Sequence, residues 1–84
     1  MNPRKTLARA RNNPGDVRYS DFLALAVALG YRSRRGSGSH QVFVHPAIPL
    51  HLNVQPGRDG KAKDYQVRRL LRDIDEFDLG LEDE

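Results

Sequence analysis

The chain has 84 residues, no Cys, and a net charge of +3. That length holds one small core, the missing thiols exclude a disulfide framework and a thiolate metal site, and no stretch approaches the roughly 18 apolar residues that cross a bilayer. The charge is lopsided: residues 1–72 carry all 14 Lys and Arg and only 4 acids, a net +10, whereas residues 73–84 carry 7 acids and no base.

The first predicted element is a short helix from Asn2 to Arg11, with Asn2 as its cap, Pro3 in its first turn and a thin apolar face of Leu7, Ala8 and Ala10. Asn12-Asn13-Pro14-Gly15 ends it. A second helix is expected from Ser20 to Leu29, capped by Ser20, with Asp21 in the first turn. Phe22, Leu25, Ala26 and Leu29 recur at helical spacing, Leu23 and Val27 broaden that face, and Gly30 is placed to terminate the helix. Three strands follow: a basic one at Tyr31–Arg35, a second at Gln41–His45 and a third at His51–Gln55. Gly36-Ser37-Gly38 reads as the first turn, and Pro46 to Pro49 as a connection, because two prolines so close break a ladder. After the loop at Pro56-Gly57 and Asp59-Gly60, a last helix starts at Asp64 as cap and carries Val67, Leu70, Leu71, Ile74 and Phe77 inward.

This order predicts an α+β fold: a three-stranded antiparallel sheet with helices on one face, the other face open to solvent or a partner. From the second helix on, α-β-β-β-α is the order of a double-stranded-RNA-binding-like fold, here with an extra N-terminal helix. A single domain is expected over residues 1–84: an N-terminal helix extension at 1–15, a core at 20–77 and an acidic tail at 78–84. The tail has too little apolar content to pack. It is either solvating charge or a built-in RNA mimic that shields the basic face.

The sequence has no Walker loop, dinucleotide fingerprint or zinc spacing. Its informative stretch is Arg34-Arg35-Gly36-Ser37-Gly38-Ser39-His40, a histidine at the mouth of a hairpin beside arginines and a Gly/Ser loop. RNA is cut when its 2′-hydroxyl attacks the neighbouring phosphate. That reaction needs a proton moved, which a histidine does near neutral pH, and phosphate charge stabilised, which arginines and backbone N–H groups do. By the same chemistry a lone histidine after Gly-Ser also serves as a plain turn residue. His45 and His51, in or beside strands, read as structural or surface residues.

The stretch from Gly30 to Phe43 resembles the signature of HicA-type toxins: a helix ending in Gly30, the aromatic Tyr31, Arg35 three residues before Gly38-Ser39-His40, and the aromatic Phe43 three residues after the histidine. The His45-Pro46 pair fits as well, and the last helix matches at Tyr65-Gln66-Val67-Arg68-Arg69-Leu70-Leu71. The resemblance covers about Ser20 to Ile74. It implies a metal-independent mRNA endoribonuclease of a type II toxin–antitoxin system, without cofactor, acting in the cytoplasm and held inactive by a HicB-type antitoxin. It implies His40 as the catalytic residue, acting as general base or general acid. Arg35, Gly38, Ser39, Lys61, Lys63 and Arg68 are the residues expected to hold the RNA. Gln55-Pro56-Gly57-Arg58 departs from the Pro-His-type segment of many members, so no second histidine carries over. The competing readings are a non-catalytic RNA-binding module of the same fold, in which His40 is dispensable, and a small interaction protein whose basic face meets an acidic protein.

Overall fold

The computed structural model describes residues 2–34 and 40–81. Its elements run α1 (Pro3–Asn12), α2 (Tyr19–Ala28), β1 (Arg32–Arg34), β2 (Gln41–His45), β3 (Ile48–Val54), a 3₁₀ turn (Arg58–Gly60) and α3 (Asp64–Phe77). The strands form one antiparallel sheet in the order β1-β2-β3, so the expected α+β arrangement with its extra N-terminal helix is what the chain adopts.

Local chemistry sets most of these boundaries. The Asn2 side chain accepts from the N–H groups of Arg4 (3.0 Å) and Lys5 (3.4 Å), capping α1 as its sequence predicts. α2 ends in a Schellman motif: Gly30, at φ 102°, donates to Val27 O, and Tyr31 donates to Ala26 O, each at 3.0 Å. A side chain at Gly30 would be strained there. That turn sends Tyr31 straight into the core, so β1 starts one residue later than its alternation suggests.

Two expected caps are displaced. Ser20 lies inside α2, whose cap is Arg18; the backbone there is held extended by a bridge between Arg18 and Lys61 and by the Ala62 N–H on Val17 O (2.8 Å). Asp64 is the first residue of α3 rather than its cap, and its carboxylate pairs with Arg68 one turn on.

The stretch from Pro46 to Pro49 also differs from expectation. Only Pro46-Ala47 form the turn, and β3 begins at Ile48, paired with His45. Farther along, Phe43 pairs with Leu52, so Val44 alone faces Pro49, Leu50 and His51 across a wide bulge. Pro49 is tolerated because it falls in that bulge and on an edge strand, where no ladder partner needs its missing N–H.

The core lies between one sheet face and the helices. Phe22, Leu25, Ala26 and Leu29 of α2 meet Phe43, Leu52 and Val54 of the sheet and Val67, Leu70 and Ile74 of α3. Each large side chain so buried contributes roughly 1.5–3 kcal/mol. Val27, expected to join this face, is 53% exposed. α1 is packed onto the body: Thr6 and Ala10 are buried, and Arg11 reaches Asp75 of α3 at 2.9 Å. Past α3, Leu79 and Leu81 also pack against the core, so residues 78–81 are more ordered than their charge suggests. The outer sheet face carries Arg32, Arg34 and Asn53 around half-buried Val42 and Val44, as cross-strand register requires.

Candidate functional site

His40 stands immediately before β2 and is exposed. It lines an open depression of about 530 Å³ that runs along the outer edge of β3, beside α3. His51 of the bulge lines it as well, and α3 contributes Tyr65, Arg69 and Arg72. These three recur at i, i+4 and i+7, which places them on one helix face. A larger hollow of about 920 Å³ lies elsewhere, between α1 and the loop before α3. It holds Lys5, Arg9, Arg18 and Lys61 but also Asp16, Asp21 and Asp59, and among the described residues it holds no histidine. The depression at His40 is therefore the better candidate.

A polar network, buried at its Tyr31–Asp73 end, lies beside it. The Arg69 guanidinium donates from Nε to the two oxygens of Asp73 (3.2 and 3.3 Å) and from Nη2 to the carbonyls of Leu50 and His51 (3.2 and 3.4 Å). Those carbonyls belong to the bulge. Asp73, buried, also accepts the Tyr31 hydroxyl at 2.8 Å. The sheet bulge, the α3 arginine and the residue after the α2 turn are thus tied through one carboxylate.

This network carries a pH signature. Burial, then the hydrogen bond to Asp73 and its charge, hold the Tyr31 phenol well above its ordinary value, against a smaller opposing pull from Arg69. The folded chain therefore favours the neutral phenol. Its contribution is fully present below about pH 10, the ordinary tyrosine value, and is lost as pH rises through the folded value. The difference titration between wild type and Tyr31→Phe is expected to show Tyr31 ionising together with loss of helical circular dichroism; ionisation before any unfolding would contradict the assignment.

The other histidine is structural. The Ala47 N–H donates to His45 Nδ1 (3.0 Å), which leaves the ring proton on Nε2 to reach the Leu29 carbonyl at the end of α2 (3.1 Å). Its ring also stands edge-on to Tyr31, 5.1 Å between centroids. His45 thus ties the hairpin turn to the α2 terminus.

The residues expected to hold RNA are scattered. Arg35, Gly38 and Ser39 lie outside the described residues. Lys61 pairs with Asp16 at 3.0 Å, an interaction that holds the Asp16 carboxyl below its usual range, and it lines the larger hollow. Lys63 caps α3 and, with Lys61, lines a third, shallower hollow. Arg68 pairs with Asp64 and points away from the His40 depression, about 100° around the helix from Arg69. The cations brought to His40 are instead Arg69 and Arg72, which sequence reading passed over. The available signal was their spacing from Tyr65 and the four-residue step from Arg69 to Asp73. Among the described residues, no group of three or more histidine or acidic side chains could share a metal ion.

The family model for the HicA toxin of bacterial toxin–antitoxin systems matches residues 19–75. The chain belongs to the HicA toxin family. It is a toxin of a bacterial toxin–antitoxin system, with an antitoxin as its partner. No curated protein and no solved structure matches it significantly. The HicA match begins at the first residue of α2 and ends within α3, so it contains His40, His51, Tyr65, Arg69 and Arg72 and leaves out α1. No helix is long and apolar enough to cross a membrane among the described residues.

Proposed function

We propose that this HicA toxin is a cytoplasmic endoribonuclease that cuts messenger RNA without a metal ion, with His40 as general base or general acid. The observation that carries this reading is the company His40 keeps: two arginines and an exposed aromatic ring around one open depression. A phosphodiester is held by guanidinium groups, a base stacks on an aromatic face, and a histidine moves the proton. The volume, about 530 Å³, falls in the usual range for ligand sites, roughly 300–1,000 Å³.

In this reading Arg69 and Arg72 hold the phosphate at the cleavage centre and Tyr65 stacks a base. Arg35, Gly38 and Ser39 join them from the segment next to His40, the last two through backbone N–H groups. Lys61, Lys63 and Arg68 contact the strand farther from the scissile bond. Recognition rests mainly on backbone shape and single-stranded access. A HicB-type antitoxin would silence the enzyme by occupying the depression.

The test is cleavage of a long single-stranded RNA in chelator, with wild type and His40→Ala at equal folded concentration. The expected result is a rate loss of about 10²–10⁴-fold in the variant, with RNA binding retained. Equal cleavage by both would remove His40 from the mechanism. Binding without cleavage by either would make the chain a non-catalytic RNA-binding module.

A further inference from the structure

Cleavage by an internal 2′-hydroxyl requires two proton transfers. O2′ gives up its proton as the O2′–P bond forms, and O5′ gains one as the P–O5′ bond breaks, leaving a 2′,3′-cyclic phosphate and a free 5′-hydroxyl. A single histidine handles one of these at a time; two histidines on either side of the phosphate handle both in one passage.

We propose that His51 carries the second of these transfers, opposite His40; this rests on the cleavage reading above. The first support is elimination. Among the described residues, the titratable side chains lining the depression are His40, His51, Tyr65, Arg69 and Arg72, with no carboxylate. Among these side-chain types histidine is the usual general acid and general base. Asp73 lies behind Arg69, buried and already engaged by Arg69 and Tyr31.

The second support is the bulge. Had the register of Phe43 with Leu52 continued, His51 would sit directly opposite Val44 on the outer sheet face. Instead the ladder breaks at that residue, and His51 is exposed and lines the depression. Bulges beside active sites commonly re-aim one side chain. This one is held from behind, because Arg69 takes the carbonyls of Leu50 and His51 while resting on Asp73. The backbone of His51 is therefore fixed by groups other than its own ring.

The third support is spacing. Gln41 pairs with Val54, and continuing that pairing by one residue sets His40 level with Gln55, four positions along the chain from His51. At about 3.3 Å per residue and ~4.8 Å between neighbouring strands, that is ~14 Å between backbones. Two imidazole side chains with a phosphodiester between them fill such a gap.

The experiment compares wild type, His40→Ala, His51→Ala and His51→Gln on two substrates: RNA, and a uridine 3′-(4-nitrophenyl phosphate) whose leaving group departs without a proton. On RNA, both His51 variants are expected to lose about 10²–10⁴-fold in rate, to bind as wild type does, and to lose one limb of a bell-shaped pH profile. On the aryl ester, only one of the two histidine positions should recover, and it is the general acid. Wild-type cleavage by His51→Ala, with His40→Ala inactive, would overturn the role of His51 and leave the nuclease reading standing. Equal losses for both positions on both substrates would reduce His51 to substrate binding and overturn the proposal. A wild type that cuts neither substrate would remove the nuclease reading itself. The His51 ring is exposed, so circular dichroism of both variants should match wild type.

Discussion

Asp73→Ala is expected to lower folding stability by about 3 kcal/mol, with a fall in Tm of roughly 12–24 °C for a domain of this size. The carboxylate is buried in α3 and is shared by the Tyr31 hydroxyl and the Arg69 guanidinium. Its removal leaves a phenol without an acceptor in the core and a half-buried cation without its counter-ion, the kind of loss that exceeds the net value of the interaction itself. A stability of about 0.05–0.15 kcal/mol per residue gives 84 residues a total on the order of 4–13 kcal/mol. This one substitution therefore consumes a large share of it. Adding Tyr31→Phe to Asp73→Ala should return part of the loss, because it removes the orphaned hydroxyl; the two changes should not add. Urea unfolding of the two single variants and the double variant measures this directly. A cost below about 1 kcal/mol for Asp73→Ala would show that the network is not a structural tie.

The second large effect concerns salt. Raising monovalent salt from about 50 to 200 mM is expected to weaken RNA binding about 7- to 50-fold, corresponding to two to four phosphate contacts on a single strand. Arg69 and Arg72 supply two of these at the depression. Arg72→Ala should therefore flatten the log–log slope by about 0.7. Arg68→Ala should flatten it less than Arg72→Ala does, since Arg68 is paired with Asp64 and meets the strand away from the depression. Fluorescence anisotropy with a labelled single-stranded RNA reads both slopes. An affinity independent of salt would point to an acidic protein as the sole partner of the basic surface.

Much of the fold was visible in residue order. Asn2-Pro3 announced α1, Gly30 closed α2, and Val42-Phe43-Val44 marked the central strand. What was hidden depended on contacts between distant segments. Pro49 breaks an ordinary ladder, and only the edge position and the bulge make it compatible with β3. Ser20 and Asp64 are good caps by type, but a bridge from Lys61 and an ion pair with Arg68 decide those termini instead. The site was half legible. His40 stood out through its Gly-Ser context, whereas Arg68 and Arg69 look alike in a string of letters and are separated only by the helical turn that points one of them to β3. His51 gave no sign of its position because a register shift cannot be read from alternation.

The two free margins of the sheet bear on how the protein behaves when concentrated. An edge strand with a continuous row of free N–H and C=O groups recruits strands from other molecules. β1 offers three residues, two of them arginines. On β3, Pro49 has no N–H to give, the bulge breaks the row, and Arg69 already occupies two of its carbonyls. Among the described residues, neither border offers a long regular row for a growing sheet. The irregularity that positions His51 thus also guards the chain against edge-to-edge aggregation.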